Sequence, residues 1–160
     1  MVADSGENSI VVAAGANESL ASLSAFDRQT IERAAVLVVQ LEVPVAVVAE
    51  AAAVARDCGT TVVLNAGPAQ PLDDALLRLV DLLVVNEHEA VAIGGTDDPV
   101  DAAVALTDRA GAVVVTLGAD GAAHVGADVR VTRPPGCHRG CPQCGSGRCD
   151  PVHPDPRRGV

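Results

Sequence analysis

The apolar residues of this chain fall in short, nearly continuous runs that end abruptly on polar side chains, with segments of helical period between them. The plainest case is Leu82-Leu83-Val84-Val85-Asn86-Glu87-His88-Glu89, where four aliphatic residues stop at Asn86 and pass into the charged start of a helix. The pattern recurs in Val36-Leu37-Val38-Val39-Gln40-Leu41-Glu42, in Thr60-Thr61-Val62-Val63-Leu64 followed by Asn65-Ala66-Gly67-Pro68, and in residues 112–117 leading into Gly118-Ala119-Asp120-Gly121. Apolar runs without polar alternation, separated by helices, are the mark of a parallel sheet. Helices are expected over 27–34, from Pro44 to about Asp57 with Cys58-Gly59 closing it, from Asp73-Asp74 to Leu79, after Asn86, and over 98–110. Proline near a helix start and glycine past its end fit the asymmetry of helix termini. Residues 9–12 read as a further short strand, with Gly15-Ala16-Asn17 as a turn beyond it. Residues 122–125 and 129–131, separated by Gly126-Ala127-Asp128, read as an antiparallel hairpin. The pattern predicts an α/β fold with a mostly parallel sheet.

In an open parallel sheet, ligands sit outside the carboxyl ends of the strands. The polar residues at those ends are Glu42, Asn65, Asn86 with Glu89, and Thr116 with Gly118, and they are expected to line one rim. An amide beside a carboxylate at a helix start suits a hydrated divalent cation and phosphate oxygens, because Mg2+ keeps several waters and takes few protein ligands. The same residues suit a helix cap, with the glutamates answering the helix dipole, and the sequence leaves both readings open. Glu42 is either a ligand contact or a solvated strand end. Gly118 and Gly121 read as turn residues before the hairpin. His88 reads as a surface helix residue and His124 as part of the hairpin, without assigned roles.

Composition narrows the chemistry. At 160 residues the chain has the length of one domain. Its hydrophobic residues are mostly Ala, Val and Leu, and Phe26 is the one aromatic, so the core has to be made of closely packed small side chains. The net charge is −10, but 19 of the 21 acidic residues and only 6 of the 11 arginines lie up to residue 132; the remainder is basic. An acidic body is a poor nucleic-acid surface, which needs clustered cations. The absence of Lys excludes a Walker A loop, and no strand leads into the spaced glycines of a dinucleotide fingerprint. No apolar run is long enough to span a bilayer and residues 1–7 do not resemble a signal peptide, which points to a cytoplasmic protein.

The rim motifs, in their order, resemble the ribokinase members of the PfkB carbohydrate kinase family. The motifs are Gly6-Glu7-Asn8-Ser9-Ile10 with Gly15-Ala16-Asn17, Gln40-Leu41-Glu42-Val43-Pro44, Asn65-Ala66-Gly67-Pro68, Asn86-Glu87-His88-Glu89, and Thr116-Leu117-Gly118-Ala119-Asp120-Gly121. The resemblance implies a ribokinase-like three-layer α/β sandwich and transfer of the ATP γ-phosphoryl group to the 5-hydroxyl of ribose. It further implies Mg2+, stimulation by a monovalent cation such as K+, and a homodimer in the intact family, with no nucleic acid or membrane partner. Carried over by position, Glu42 would touch the sugar and Asn86 with Glu89 would hold the Mg2+ and phosphate shell. Thr116, Gly118 and Gly121 would border the nucleotide, and Asn65 would support its phosphate end.

The resemblance covers the body, residues 1–132, as a partial domain, and it implies members of about 300 residues. The sugar loop, the lid and the catalytic Asp of a Gly-Ala-Gly-Asp segment are expected to be missing, which would make this chain an inactive fragment. Residues 133–160 form a Cys-, Pro- and Arg-rich tail expected to be disordered. Cys137, Cys141, Cys144 and Cys149 with His138 and His153 supply enough ligands for tetrahedral zinc, which would make the chain a non-catalytic binding protein. The rival reading is a frameshift. Codons for Gly145-Ser146-Gly147-Arg148-Cys149, read one base later, permit Gly-Ala-Gly-Asp-Ala, and a tail rich in Cys, Pro and Arg is what GC-rich sequence gives out of frame.

Overall fold

The computed structural model describes residues 15–127 and 129–132. After a 3-10 turn at Gly15–Ser19, helix α1 (Ala25–Glu32) leads to strand β1 (Val36–Gln40) and helix α2 (Val45–Cys58) to β2 (Thr61–Asn65). A short α3 (Asp74–Leu77) precedes β3 (Leu82–Asn86), and α4 (Glu87–Gly94) and α5 (Pro99–Leu106) connect it to β4 (Ala112–Thr116). A second 3-10 turn, Gly118–Asp120, opens the hairpin of β5 (Ala122–Val125) and β6 (Val129–Thr132). The strand expected at 9–12 and the cysteine-rich tail lie outside the described residues.

The helix boundaries follow from local chemistry. Ser24 caps α1, its Oγ accepting from the Asp27 amide at 3.2 Å while Asp27 Oδ2 accepts from the Ser24 amide at 2.8 Å. Asp73 and Asp98 cap α3 and α5, with Pro99 in the first turn of α5. Gly59, at φ 75°, ends α2 in the left-handed region that glycine enters without strain. Two elements end earlier than the sequence pattern indicates. Strand β1 stops at Gln40 because the Leu41 amide turns to the Gly67 carbonyl (3.1 Å), and α5 stops at Leu106, where the amides of Thr107 and Arg109 make shorter-range bonds to Val104 and Leu106.

The six strands form one sheet in the order β1-β2-β3-β4-β5-β6; β1 to β4 are parallel, and β5 and β6 are antiparallel. An unreversed order with right-handed crossovers puts every connecting helix on the same side of the sheet. Burial agrees. On the helix side, Val62, Leu64, Leu83, Val85, Val113 and Val115 are at most 1% exposed; α2, with buried Ala51, Ala52 and Ala55, covers β1 and β2, and α4 and α5 cover β3 and β4. Alanine on the inward face of α2 lets the backbones approach closely, which is how a core with no buried aromatic fills its space; Phe26 is 77% exposed. Helices α4 and α5 touch just as closely, since a Cβ at Gly94 would stand 2.8 Å from that of Ala102. Among the described residues, the opposite face of the sheet carries no helix.

Polar side chains tie the ends of these elements together. Asp81 accepts from the Val62 amide (2.8 Å) and pairs with Arg56 (2.8 Å), fixing the start of β3 against β2 and α2. Arg109 joins Asp74 at 2.6 Å and reaches the carbonyls of Ile93 and Leu72, so one side chain clamps α3, the end of α4 and the turn after α5. Arg28 pairs with Glu50, whose other oxygen accepts from the Leu23 amide, docking α1 on α2.

Two outcomes follow. Leu83→Ala, at a fully buried position of a central strand, is expected to lower unfolding free energy by about 2–5 kcal/mol in a urea titration. The two hydrogen bonds that Asp27 accepts from the Ser24 hydroxyl and amide hold its carboxyl below the usual carboxylate range. A depressed folded-state value means that this cap supports α1 above the unfolded carboxylate range and is lost as pH falls through the folded value. NMR titration of the Asp27 carboxyl is expected to show the lowered midpoint, and Ser24→Ala to return it toward an ordinary value.

Candidate functional site

Four parallel strands in register deliver their last residues to one edge: Gln40 stands opposite Asn65, Asn65 opposite Val84, and Asn86 opposite Thr116. Strands about 4.8 Å apart spread these ends over roughly 14 Å, the scale of a small molecule lying across the rim. Glu42, Asn65, Asn86 with Glu89, and Thr116 with Gly118 therefore meet along one edge.

At the β1 end, the bond from the Leu41 amide to Gly67 and one from Gln70 Nε2 to the Leu41 carbonyl (3.2 Å) fold the loop after β2 over the strand tip. Leu41 is drawn into the core at 4% exposure, and Glu42, next along, stays exposed. A cleft of about 510 Å3 opens there, lined by Asn17, Val38, Gln40, Glu42, Val43 and Asn65 among others. Three amides and a carboxylate beside three valines offer donors and acceptors together with apolar surface, a combination that suits a small polyhydroxylated ligand. Sequence reasoning quoted Asn17 and Gln40 within motifs but gave them no place in the site. Gln40 was legible, since register with Asn65 puts both on the same face; Asn17 carries no such signal.

At the centre, Asn86 and Glu89 form a reciprocal cap on α4. Asn86 Oδ1 accepts from the Glu89 amide at 2.8 Å, and Glu89 Oε2 accepts from the Asn86 amide at 2.8 Å. The capping reading is thus realised, and it leaves one oxygen over: among the described residues no protein donor is bonded to Glu89 Oε1. Glu89 is only 8% exposed, and its Oε1 lies against Gly67, where a Cβ would come within 3.1 Å of it and 3.4 Å of Asn65 Oδ1. Asn65 Oδ1 is itself held by the Gly67 amide at 3.1 Å. The cap therefore fixes a carboxylate whose second oxygen lies against Gly67, on the same side as the Asn65 amide oxygen. Among the described residues no group of three or more His, Cys, Asp or Glu could hold a metal. One carboxylate with neighbouring amide oxygens nonetheless fits Mg2+, which takes one or two protein carboxylates and completes its shell with water and phosphate.

At the far end, Thr116 is exposed and donates from Oγ1 to the Val85 carbonyl at 3.4 Å. The chain then turns through Gly118 (φ 54°) and Gly121 (φ 99°), with the Leu117 amide bonded to the Gly121 carbonyl at 2.7 Å. No atom lies within 4 Å of a Cβ position at Gly118, so that loop is open. His88 is away from the rim, in a separate cleft with Glu87, Asp97 and Pro99, and His124 is exposed beside Val114 on the helix-free face.

A mostly parallel sheet backed by helices, with polar residues at its strand tips, defines a class of α/β protein in which ligands bind at the strand tips. Comparison with known proteins narrows it. The pfkB family carbohydrate kinase pattern matches residues 1–137. The chain is 41% identical over 127 residues to the ribokinase of Haemophilus influenzae, covering 75% of this chain and 42% of that protein. It is 35% identical over 133 residues to the ribokinase of Schizosaccharomyces pombe, covering 76% and 42%. Among solved structures, the Arabidopsis thaliana ribokinase complexed with ribose and ATP superposes with a TM-score of 0.74 at 23% identity, covering 84% of this chain and 46% of that one. The chain belongs to the pfkB family of carbohydrate kinases, and its fold is ribokinase-like. It spans less than half the length of these relatives.

Asn86→Ala is expected to cost about 1 kcal/mol in urea denaturation, whereas Asn86→Asp, which keeps an acceptor for the Glu89 amide, is expected to stay close to wild type.

Proposed function

We propose that this chain carries the nucleotide-phosphate rim of a ribokinase-type sugar kinase, binds ATP with Mg2+, and by itself transfers phosphate slowly or not at all. The observation that supports this most is the second oxygen of the capped Glu89, held against Gly67 beyond β3, a strand that lies between the strand leading to Glu42 and the strand leading to Gly118. In this reading the sugar lies in the cleft against Glu42, with Asn17 and Gln40 in reach of its hydroxyls. The triphosphate crosses the rim past Asn65 and Asn86, and the nucleoside rests by Thr116, Gly118 and Gly121.

Charge gives the arrangement its logic. Arg28, Arg56, Arg78 and Arg109 pair with carboxylates away from the rim, so no paired arginine is spent on the phosphates. A polyphosphate approaching Glu89 would be repelled unless a divalent cation stood between them. Asn86, Asn65 and Glu89 are the residues that would hold Mg2+, which when bound neutralises the developing phosphate charge. The chain's own part is to orient: the α4 cap fixes Glu89, the Gly67 amide fixes Asn65, and the glycines of the last loop admit a flat base.

Phosphoryl transfer also needs a base for the sugar hydroxyl and donors for the departing charge. The Gly-Ala-Gly-Asp segment that the family resemblance associates with both does not occur in these 160 residues. Lacking both, turnover is expected to fall by at least about 10⁴ relative to a complete enzyme.

Calorimetry with ATP is expected to show binding that requires Mg2+ and is abolished by Glu89→Ala in a variant still folded by circular dichroism. Absence of heat with Mg2+ and ATP would overturn the nucleotide assignment, and ribose 5-phosphate formation at an ordinary enzyme rate would overturn the inactivity.

A further inference from the structure

We propose that Gln70 is a positioning residue for the sugar end of the rim: through the backbone of Leu41 it sets the direction in which Glu42 leaves β1. The inference rests on the reading that Glu42 faces the sugar.

The segment between β1 and α2 has little of its own to hold it. Pro44 caps α2 without a side-chain bond, and among the described residues Glu42 and Val43 make no hydrogen bond. Leu41 carries the fixation instead. Its side chain is buried, its amide donates to the Gly67 carbonyl at 3.1 Å, and its carbonyl accepts from Gln70 Nε2 at 3.2 Å. That carbonyl belongs to the planar peptide that joins Leu41 to Glu42, so a donor that fixes it fixes the plane to which the Glu42 Cα is attached. Gly67 holds the plane before Leu41 and Gln70 the plane after it. The turn out of β1 is thereby clamped on both sides, and Glu42 is presented to the cleft that it lines with Asn17, Gln40 and Asn65.

Gln70 can do this because its own loop is fixed at both ends. Ala66 is fully buried and donates from its amide to the Val84 carbonyl at 2.9 Å; Leu72 is also buried, and its carbonyl accepts from Arg109 Nη2 at 3.4 Å. Between them, the Gly67 amide bonds Asn65 Oδ1, and Gly67 lies against Glu89. One loop therefore meets the backbone before Glu42 and the carboxylate of Glu89, and it sets the spacing between the sugar end and the phosphate end of the rim. Phosphoryl transfer depends on such spacing, because small displacements of bound groups lower the rate steeply. A backbone held in place before the ligand arrives also need not be ordered on binding.

The test is NMR of the full 160-residue chain. Without ligand, the Glu42 amide is expected to have the order parameter of rigid backbone, about 0.85, and to fall below about 0.6 in Gln70→Met, which removes the donor and keeps the side-chain length. The Asn86 amide, held by its own cap, is expected to keep its value in both. Ribose, followed by the Asn65 amide shift, is expected to bind Gln70→Met about fivefold more weakly, the worth of one neutral hydrogen bond. In a Glu42→Ala background the same substitution is expected to cost nothing further, whereas a general loosening of the fold would weaken both backgrounds alike. Gln70→Glu, whose ionised carboxylate cannot donate, is expected to match Gln70→Met and replaces it if that variant does not fold. An unchanged Glu42 order parameter, a fall shared equally by Asn86, or equal ribose losses with and without Glu42 would overturn the proposal. A wild type that does not respond to ribose, or a Glu42→Ala variant that binds it as wild type does, would overturn the sugar placement instead; the order parameters then decide by themselves whether Gln70 positions Glu42.

Discussion

The parallel pairing of β1 to β4 is the constraint from which the other features descend. Because the strands run in one direction, their carboxyl ends share an edge, and because the register is unbroken, Gln40, Asn65, Asn86 and Thr116 share a face as well as an edge. A slip of one residue in any strand would send its terminal polar side chain to the other face and its valines out of the core. The fully buried set of Val62, Leu64, Leu83, Val85, Val113 and Val115 prevents that slip. The hydrophobic core thereby sets the geometry of the rim.

The same winding that gathers the rim leaves one side of the sheet bare. Strands laid down in sequence order send each crossover helix to the same side, and nothing among the described residues returns to cover the other. The polar rim and the bare face are two consequences of one topology, and the cleft with Asn17, Val38, Gln40 and Glu42 lies where they join.

Much of this was legible in the residues. Aliphatic runs without polar alternation gave the parallel sheet, and Pro44, Gly59, Asp73 and Asp98 marked helix ends that the structure places within a residue or two. The sharing of one edge by Glu42, Asn65, Asn86 and Thr116 followed from strand polarity alone. Four features were beyond reach, three of them because they depend on contacts or chain paths distant in sequence. The end of β1 at Gln40 is set by Gly67, and the truncation of α5 by short-range turn bonds that compete with an otherwise helical pattern. The bare face depends on strand order, and a list of strands does not contain their order. Asn17 reaches the cleft through the path of the chain before α1, which no local pattern encodes.

The Asn86–Glu89 pair shows why capping and ligand binding need not be rivals. A cap uses one oxygen of the glutamate and so spends part of its acceptor capacity, but in doing so it fixes the second oxygen in space without ordering a mobile side chain when a ligand arrives. Rotamer entropy lost on folding is not lost again on binding. The helix dipole strengthens the arrangement, since the free amides of an amino terminus attract the negative charge that they orient. A glutamate in the middle of a helix would carry the same charge but would have to be immobilised anew. Of the two carboxylates in the first turn of α4, Glu87 and Glu89, the cap holds Glu89, and Gly67 leaves the space that its second oxygen occupies.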